Sequence, residues 1–272
     1  MEFGLNGKTG IVAGGSRGIG KAIALELARE GVDLVLAARG EEDLRASAAE
    51  ISAQTGQRVI PITFDASQRA SAEALVERAA SELGSLNILV NSASAPGGSP
   101  NAIGRIDTID EDAFLDDFNI KYMGSLRLCR AAIPHMKKAG YGRIITVSGG
   151  NARTPGNLSG GARNSALVHL SRTLAVQFGR DGITANCIHP GVTRTERTAR
   201  LLGERAASAG TTPDEIERKD YLPGGPRANA IGRMVDASEI GYLAVFLASE
   251  KAQAMTGELL SPNGGQGNSV YY

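Results

Sequence analysis

Three glycines, Gly14, Gly18 and Gly20, separate a short apolar run from an amphipathic stretch near the start of the chain. Residues 9–13 (TGIVA) predict a buried strand, and apolar side chains recur at helical spacing in residues 19–30. A strand–turn–helix unit with such glycines is typical of dinucleotide binding. The glycines let the backbone approach a pyrophosphate, and the helix N-terminus offers free N–H groups to it. The turn therefore predicts a dinucleotide-binding domain.

The rest of the chain continues this alternation of strand and helix. Further strands are predicted at residues 32–37, 58–64, 86–90, 142–148 and 183–188, with a last short one near 257–261. Further helices are predicted at residues 41–55, 67–83, 110–138, 161–179 and 236–249. Nearly continuous apolar strands that alternate with helices indicate a parallel sheet covered on both faces. We expect an α/β fold, a Rossmann-type doubly wound parallel sheet, in a single domain over residues 1–272.

Residues 196–232 interrupt this alternation. They are long, charged and rich in Gly and Pro, and they lie between a predicted strand and the last predicted helix. An insertion at the carboxyl end of a strand is usually a lid or substrate loop, and a solvated surface excursion is the alternative. We expect a substrate lid, although its charges of both signs indicate no particular substrate charge.

The composition excludes several classes of function. Lys plus Arg and Asp plus Glu both number 29, whereas a nucleic-acid-binding protein normally has a basic excess. The 2 cysteines cannot form a disulfide framework or a four-cysteine zinc site, and the 3 histidines lack metal-ligand spacing. The N-terminus has no signal pattern, and no run approaches the roughly 18 apolar residues of a membrane span. We expect a cytoplasmic protein that acts on a small molecule and binds no metal, nucleic acid or membrane.

The end of the second strand bears on which dinucleotide is bound. An acidic residue there would bond the ribose 2′-hydroxyl of NAD, but the strand ends Ala37-Ala38-Arg39. Arg39 is placed to meet a 2′-phosphate, with Arg17 of the glycine turn beside it, because guanidinium groups match phosphate oxygens bidentately. The sequence therefore favours NADP(H) over NAD(H). The alternative is that both arginines lie in solvent.

Further motifs follow the glycine turn AGGSRGIG (13–20). They are FDAS with Asp65, NSAS (91–94), FNIKYMG with Asn119, GRIITVSGG (142–150), HPGVTRT (189–195) and MTGELLSPNGG (255–265). In this order the chain resembles the short-chain dehydrogenase/reductase family over essentially its whole length. The resemblance implies the following cofactor contacts: Gly14, Ser16, Arg17, Gly18, Ile19, Gly20, Arg39, Asp65, Ala66, Asn91, Ser92, Ala93, Pro190, Gly191, Thr193 and Thr195.

The catalytic centre departs from the pattern of that family, whose chemistry uses a Tyr, a Lys four residues later, a Ser and an Asn. The resemblance places Gly160 at the Tyr position, Asn164 at the Lys position and Gly149 at the Ser position. Ser148 is one residue early, so its side chain is expected on the opposite face of the strand. Only Asn119 matches the family's set.

Three interpretations of this centre remain open. First, other groups have taken over the chemistry, and the fixed cation of Arg163 could stabilise an oxyanion. Ser159, Lys121 and a water held by Asn119 are further candidates. Second, the protein reduces an iminium or an activated alkene, which needs less oxyanion stabilisation. Third, it is a catalytically silent cofactor-binding or partner subunit.

The leading hypothesis is an NADP(H)-dependent oxidoreductase that acts on a small organic substrate by hydride transfer with a non-standard catalytic centre. A non-catalytic subunit or a non-redox enzyme on the same fold is the alternative. The predicted catalytic residues are Asn119, Ser148, Arg163 and Asn164. The resemblance also implies a homotetramer or homodimer built through residues 110–138 and 161–179 and the C-terminal segment, with a hetero-oligomer containing an active relative as the alternative.

Overall fold

The computed structural model describes residues 2–94 and 98–267 and contains a seven-stranded sheet in the order β3-β2-β1-β4-β5-β6-β9. Its strands are β1 (Thr9–Ala13), β2 (Asp33–Ala38), β3 (Val59–Thr63), β4 (Ile88–Asn91), β5 (Gly142–Val147), β6 (Ile183–Ile188) and β9 (Leu259–Leu260). A separate two-stranded sheet pairs β7 (Thr193–Arg194) with β8 (Val235–Asp236). Every neighbouring pair is parallel, which confirms the doubly wound fold. The strand order reverses between β1 and β4, where such sheets bind their ligands.

Helices cover both faces of the sheet. They are α1 (Gly18–Arg29), α2 (Glu41–Thr55), α3 (Arg69–Leu83), α4 (Glu111–Phe118), α5 (Gly124–Ala139), α6 (Leu158–Phe178), α7 (Glu196–Ala209), α8 (Pro213–Tyr221) and α9 (Ala237–Ala248). The single helix predicted over 110–138 is α4 and α5 joined by a π-helical turn, Asn119–Met123. Such turns are rare and occur frequently at functional sites.

The core consists of one apolar layer on each face of the sheet. On one face Ile23 and Leu27 of α1 pack with Ile240 of α9, and on the other Met136 of α5 packs with Leu167 of α6. All five side chains are fully buried, and each such burial contributes roughly 1.5–3 kcal/mol. The two layers fix the sheet, and the sheet positions the site at its carboxyl edge. None of the helices in the described part of the chain combines the length and apolar character needed to cross a membrane.

The segment over residues 196–232 has a small core of its own. Leu202 of α7 and Tyr221 of α8 are buried in it. Arg205 of α7 donates two hydrogen bonds, of 2.6 and 2.8 Å, to the Asp220 carboxylate of α8. The segment is therefore an organised pair of helices, which differs from a loose surface excursion.

Candidate functional site

The glycine turn between β1 and α1 has no room for side chains at two of its positions. A Cβ on Gly14 would lie 2.6 Å from the Ser92 carbonyl carbon, and one on Gly20 would lie 2.1 Å from the Gly14 carbonyl oxygen. Gly14 and Gly18 also have φ angles of +84° and +58°, a region that L-residues rarely adopt. No side chain therefore covers the backbone at these glycines, and a phosphate can approach its N–H groups.

A carboxylate lies at the N-terminus of α1. Glu196, the first residue of α7, accepts a hydrogen bond of 3.0 Å from the backbone N–H of Gly18. The first turn of α1 contains no acidic residue, and its N-cap residue makes no side-chain capping bond. The positive end of the helix is therefore met by an anion from a distant part of the chain. An anion bound at this N–H indicates that the turn fits the pyrophosphate of a dinucleotide.

Two unpaired arginines are exposed at the same edge of the sheet. Arg17 and Arg39 form no ion pair within 4.0 Å with any carboxylate of the described residues. Asp65, the acidic residue nearby, is engaged locally: its Oδ1 accepts hydrogen bonds from the Ser67 N–H and hydroxyl. These bonds lower the Asp65 pKa, and the charge of Arg39 adds to the effect. Arg17 and Arg39 are thus free to meet a phosphate.

Other residues predicted to contact the cofactor lie at the ends of the neighbouring strands. Ser92 donates its N–H to the Ala13 carbonyl at 2.8 Å, and Ala66 accepts a bond of 2.9 Å from Arg127. Asn91 donates to the Thr146 hydroxyl at 3.4 Å, while its buried Oδ1 has no partner among the described residues. The remaining predicted cofactor residues of these loops are Ser16, Ile19 and Ala93.

The segment after β6 returns to the glycine turn. It contains the predicted residues Pro190, Gly191, Thr193 and Thr195. Gly191 packs on Asn263, and a Cβ at Gly191 would lie 2.9 Å from the Asn263 Cα. Thr193 donates its hydroxyl to the Gly191 carbonyl at 3.0 Å. Thr195 caps α7, and its methyl lies 3.6 Å from a Cβ built on Gly18. The structure therefore brings this segment against the proposed pyrophosphate turn.

A buried cation lies beyond the carboxyl end of β5. Lys121, in the π-helical turn, donates to the Asn164 Oδ1 at 2.7 Å and to the Ser148 carbonyl at 3.0 Å. Its residue exposure is 7%, and that of Asn164 is 4%. Burial lowers the pKa of Lys121 to about 7, and the neighbouring charge of Arg163 adds to this effect. At neutral pH, Lys121 therefore populates both its ammonium and its amine form.

Arg163 belongs to the same buried group. Its Nη1 lies 3.6 Å from Oδ1 of Asp117, and both side chains are at most 5% exposed. The other oxygen of Asp117 accepts bonds from the Ser159 hydroxyl at 2.7 Å and from the Ser99 N–H at 2.9 Å. Nε and Nη1 of Arg163 have no hydrogen-bond partner in the part of the chain described. With Lys121 protonated, the group holds two cations against one carboxylate.

Ser148 points its hydroxyl away from this cation. Its Oγ lies 3.3 Å from Nδ1 of His189 and 3.3 Å from the Ile188 carbonyl, while its own carbonyl accepts the bond from Lys121. Burial lowers the pKa of His189 to about 4, so this imidazole is neutral at pH 7. The Ser148 hydroxyl is thus engaged with His189, and it is the Ser148 backbone that touches the cation.

The structure brings Ser148, Arg163 and Asn164 together but leaves Asn119 outside their group. The Asn119 side chain donates to the Ser67 carbonyl at 3.4 Å and accepts from Arg127 at 2.8 Å. Lys121, two residues later, places its charged end in that group instead. A direct catalytic role for Asn119 remains a prediction that these contacts do not support.

Amide side chains fill the space beside Gly149 and Gly160. A Cβ on Gly149 would lie 2.9 Å from Nδ2 of Asn164, and one on Gly160 would lie 2.6 Å from Nδ2 of Asn151. Asn157 also crowds Gly160, whose N–H it caps at 2.7 Å. A tyrosine introduced at Gly160 would therefore have to displace the N-cap of α6.

The chain is similar to known oxidoreductases over almost its whole length. The family model described as enoyl-(acyl carrier protein) reductase matches residues 13–266. The NADPH-dependent reductase BacG of Bacillus subtilis is 29% identical over 97% of this chain and 99% of its own. The D-beta-hydroxybutyrate dehydrogenase of Cupriavidus necator is 33% identical over 96% of this chain and 98% of its own.

Solved structures extend this similarity to the fold. The L-sorbose reductase of Gluconobacter frateurii, solved with NADPH and L-sorbose, superposes with a TM-score of 0.91. It is 28% identical, and the match covers 99% of this chain and 100% of the other. The chain belongs to the short-chain dehydrogenase/reductase family. Within residues 2–94 and 98–267, no cluster of three or more His, Cys, Asp or Glu residues is arranged to hold a metal ion.

Proposed function

We propose that this protein is an NADP(H)-dependent oxidoreductase that transfers a hydride between the nicotinamide and a small organic carbonyl or alcohol. The observation that carries the proposal is the bare glycine turn flanked by the unpaired Arg17 and Arg39. The similarity to BacG, an NADPH-dependent reductase, and to a sugar reductase solved with NADPH supports the same cofactor. Oxidation of NADPH followed with a panel of ketoses, β-keto acids and cyclic diketones tests the activity, with L-sorbose as the first probe.

Cofactor choice is tested by Arg39→Asp. We expect this variant to bind NADPH about 10- to 100-fold more weakly, because a charged hydrogen bond contributes roughly 1.5–3 kcal/mol. NADH affinity is expected to hold or rise, since a carboxylate there can bond the ribose 2′-hydroxyl. Titrations followed by nicotinamide fluorescence measure both affinities. Arg180→Asp makes the same charge change in the turn before β6, at the amino edge of the sheet. It should leave the affinities for NADPH and NADH unchanged. An equal loss of both cofactors in Arg39→Asp would contradict the assignment.

Glu196 is expected to weaken binding of the cofactor. Its carboxylate holds the Gly18 N–H that a pyrophosphate would use, so the two anions compete for one donor. Glu196→Gln should therefore bind NADPH about 3- to 10-fold more tightly, since a carboxylate at a helix N-terminus contributes roughly 0.3–1 kcal/mol and its hydrogen bond adds to this. Isothermal titration measures the change. Glu204→Gln is the matched control on α7, because Glu204 pairs with Arg200 of the same helix. Unchanged affinity in Glu196→Gln would show that Glu196 does not compete.

The catalytic group that we propose is non-standard. Asn164 and Ser148 orient the buried Lys121, and Arg163 adds a fixed positive charge beside it. Such preorganised positive charge stabilises an oxyanion. This grouping supports catalysis over a silent subunit, since buried charges are expensive to keep without a use.

Residues 196–232 are proposed as the substrate lid of one domain spanning residues 1–272. Support comes from the contact of Glu196 with the glycine turn, which places the segment over the carboxyl edge of the sheet. A homotetramer or homodimer is proposed through α5 and α6. An apolar cavity of about 420 Å³ opens between them, and Val176 of α6 is 73% exposed. Cysteines 129 and 187 are free thiols, which supports a place in the cytoplasm.

A further inference from the structure

The cation of Lys121 lies beyond the carboxyl ends of β5 and β6. The carbonyl that holds it belongs to Ser148, the first residue after β5, and His189 is the first residue after β6. Ligands of such sheets lie outside the carboxyl ends of the strands. The charged end of Lys121 therefore lies at the edge of the sheet on which ligands of this fold bind.

The bonds to Lys121 leave one donor uncommitted. An ammonium group has three N–H donors, and two of them go to Asn164 and Ser148. The third has no acceptor among the residues that the structure describes. Asn164 stands where the resemblance to the family predicts a lysine, and the ammonium of Lys121 on the π-helical turn contacts the amide at that position.

We propose that Lys121 is the proton donor and acceptor of this enzyme, held in place by Asn164 and the Ser148 carbonyl. The proposal rests on the oxidoreductase function proposed above. The amine of Lys121, on the π-helical turn between α4 and α5, takes the place of the missing tyrosine. In this role Lys121 is catalytic, whereas Asn164, Ser148 and Arg163 are positioning residues.

The proton balance of the step is simple. When bound, NADPH supplies a hydride to the carbonyl carbon, and the π electron pair moves to the oxygen. The oxygen then forms one O–H bond with a proton from the Lys121 ammonium, which becomes an amine. That proton is restored from water in the crevice. In the direction of oxidation, the amine takes the proton of the alcohol.

Charged and titratable groups from every neighbouring element set the proton affinity of Lys121. Arg163 from α6 lowers its pKa, while Asp117 from α4 and Cys187 from β6 raise it. His189 beyond β6 stays neutral near pH 7, because burial lowers its pKa to about 4. Together with burial, these groups leave the Lys121 pKa at about 7, which suits an acid–base catalyst at neutral pH.

The first test measures Lys121 without a reaction. The chain has seven lysines, so protein labelled with ¹³C at the lysine Cε gives seven resonances to titrate by NMR. Lys121→Met identifies the resonance of Lys121 by its loss. We expect that resonance to titrate near pH 7 and to move when NADP⁺ is added. A Lys121 resonance that does not titrate near pH 7, or that does not respond to NADP⁺, would overturn the proposal.

The second test measures turnover of a ketone that the wild-type protein reduces. Lys121→Met should lose about 100-fold or more in kcat with NADPH affinity retained, because general acid catalysis contributes roughly 100- to 10,000-fold. In the wild-type protein, the rate of reduction should be flat below pH 7 and fall above it, and the rate of oxidation should show the opposite. Lys137→Met, at an exposed ion pair, is the control. Unchanged turnover in Lys121→Met would refute the role of Lys121. Failure of the wild-type protein to bind NADPH would refute the proposed function instead.

Discussion

Asp117→Ala is expected to lower the free energy of unfolding by about 3–5 kcal/mol, because it leaves a buried guanidinium without its carboxylate. Arg163 lies 3.6 Å from that carboxylate and is almost fully enclosed. The Ser159 hydroxyl and the Ser99 N–H would lose their acceptor as well. Urea unfolding followed by circular dichroism measures the change.

Two further variants test whether the loss of stability comes from breaking the buried ion pair or from removing a charge in general. Arg105→Ala breaks an ion pair with Asp107 in which the side chains are 82% and 55% exposed, and it should leave stability almost unchanged, because exposed ion pairs contribute little. The double variant Asp117→Leu/Arg163→Met replaces the buried pair by apolar groups and should recover most of the loss. A loss of only about 1 kcal/mol in Asp117→Ala would mean that Arg163 finds water or another partner.

Gly20→Ala is expected to abolish tight NADPH binding and to destabilise the fold by about 3 kcal/mol. The added methyl would lie 2.1 Å from the Gly14 carbonyl oxygen, which is main chain and cannot turn aside. The glycine turn would have to open, and the N–H groups of α1 would lose their arrangement around a phosphate. Thermal unfolding and NADPH titration measure the two effects.

Gly203→Ala is the matched control for this substitution. Gly203 also lies inside a helix, α7, but nothing comes within 4 Å of an added methyl there. Alanine should therefore stabilise the protein by about 0.5–1 kcal/mol through its better helix propensity. If Gly20→Ala and Gly203→Ala changed stability and NADPH affinity alike, close packing at Gly20 would not explain the effect.

The fold follows from the sequence because its strands are continuous apolar runs. The predicted bounds of β1 (9–13), α2 (41–55) and β6 (183–188) agree with the structure residue for residue. Glycines also mark the cofactor turn at sequence level, since only glycine tolerates the approach seen at Gly14 and Gly20. Most other predicted elements shift only at their ends, whereas the helix predicted over 110–138 is divided by the π-helical turn.

The arrangement of the proposed catalytic group could not be derived in the same way, although its members are candidates at sequence level. Between α4 and α5 the chain forms a π-helical turn, which changes the direction in which side chains leave the helix. Lys121 therefore reaches Asn164 and the Ser148 carbonyl, while Asn119 turns towards Arg127. The contact between Glu196 and Gly18 joins residues 178 positions apart and has no local signature at all. Such features are set by packing between distant elements.

Cofactor binding at the glycine turn exchanges one anion for another, because the Glu196 carboxylate holds the Gly18 N–H until a phosphate of the nucleotide takes it. The stabilisation that a nucleotide gives to the fold is then only the difference between two bound states. The nucleotide that takes the Gly18 N–H also releases the first turn of α7. For the proposed lid, entry of the cofactor and freedom of α7 would then be one equilibrium, which favours an ordered sequence in which the nucleotide binds before the substrate.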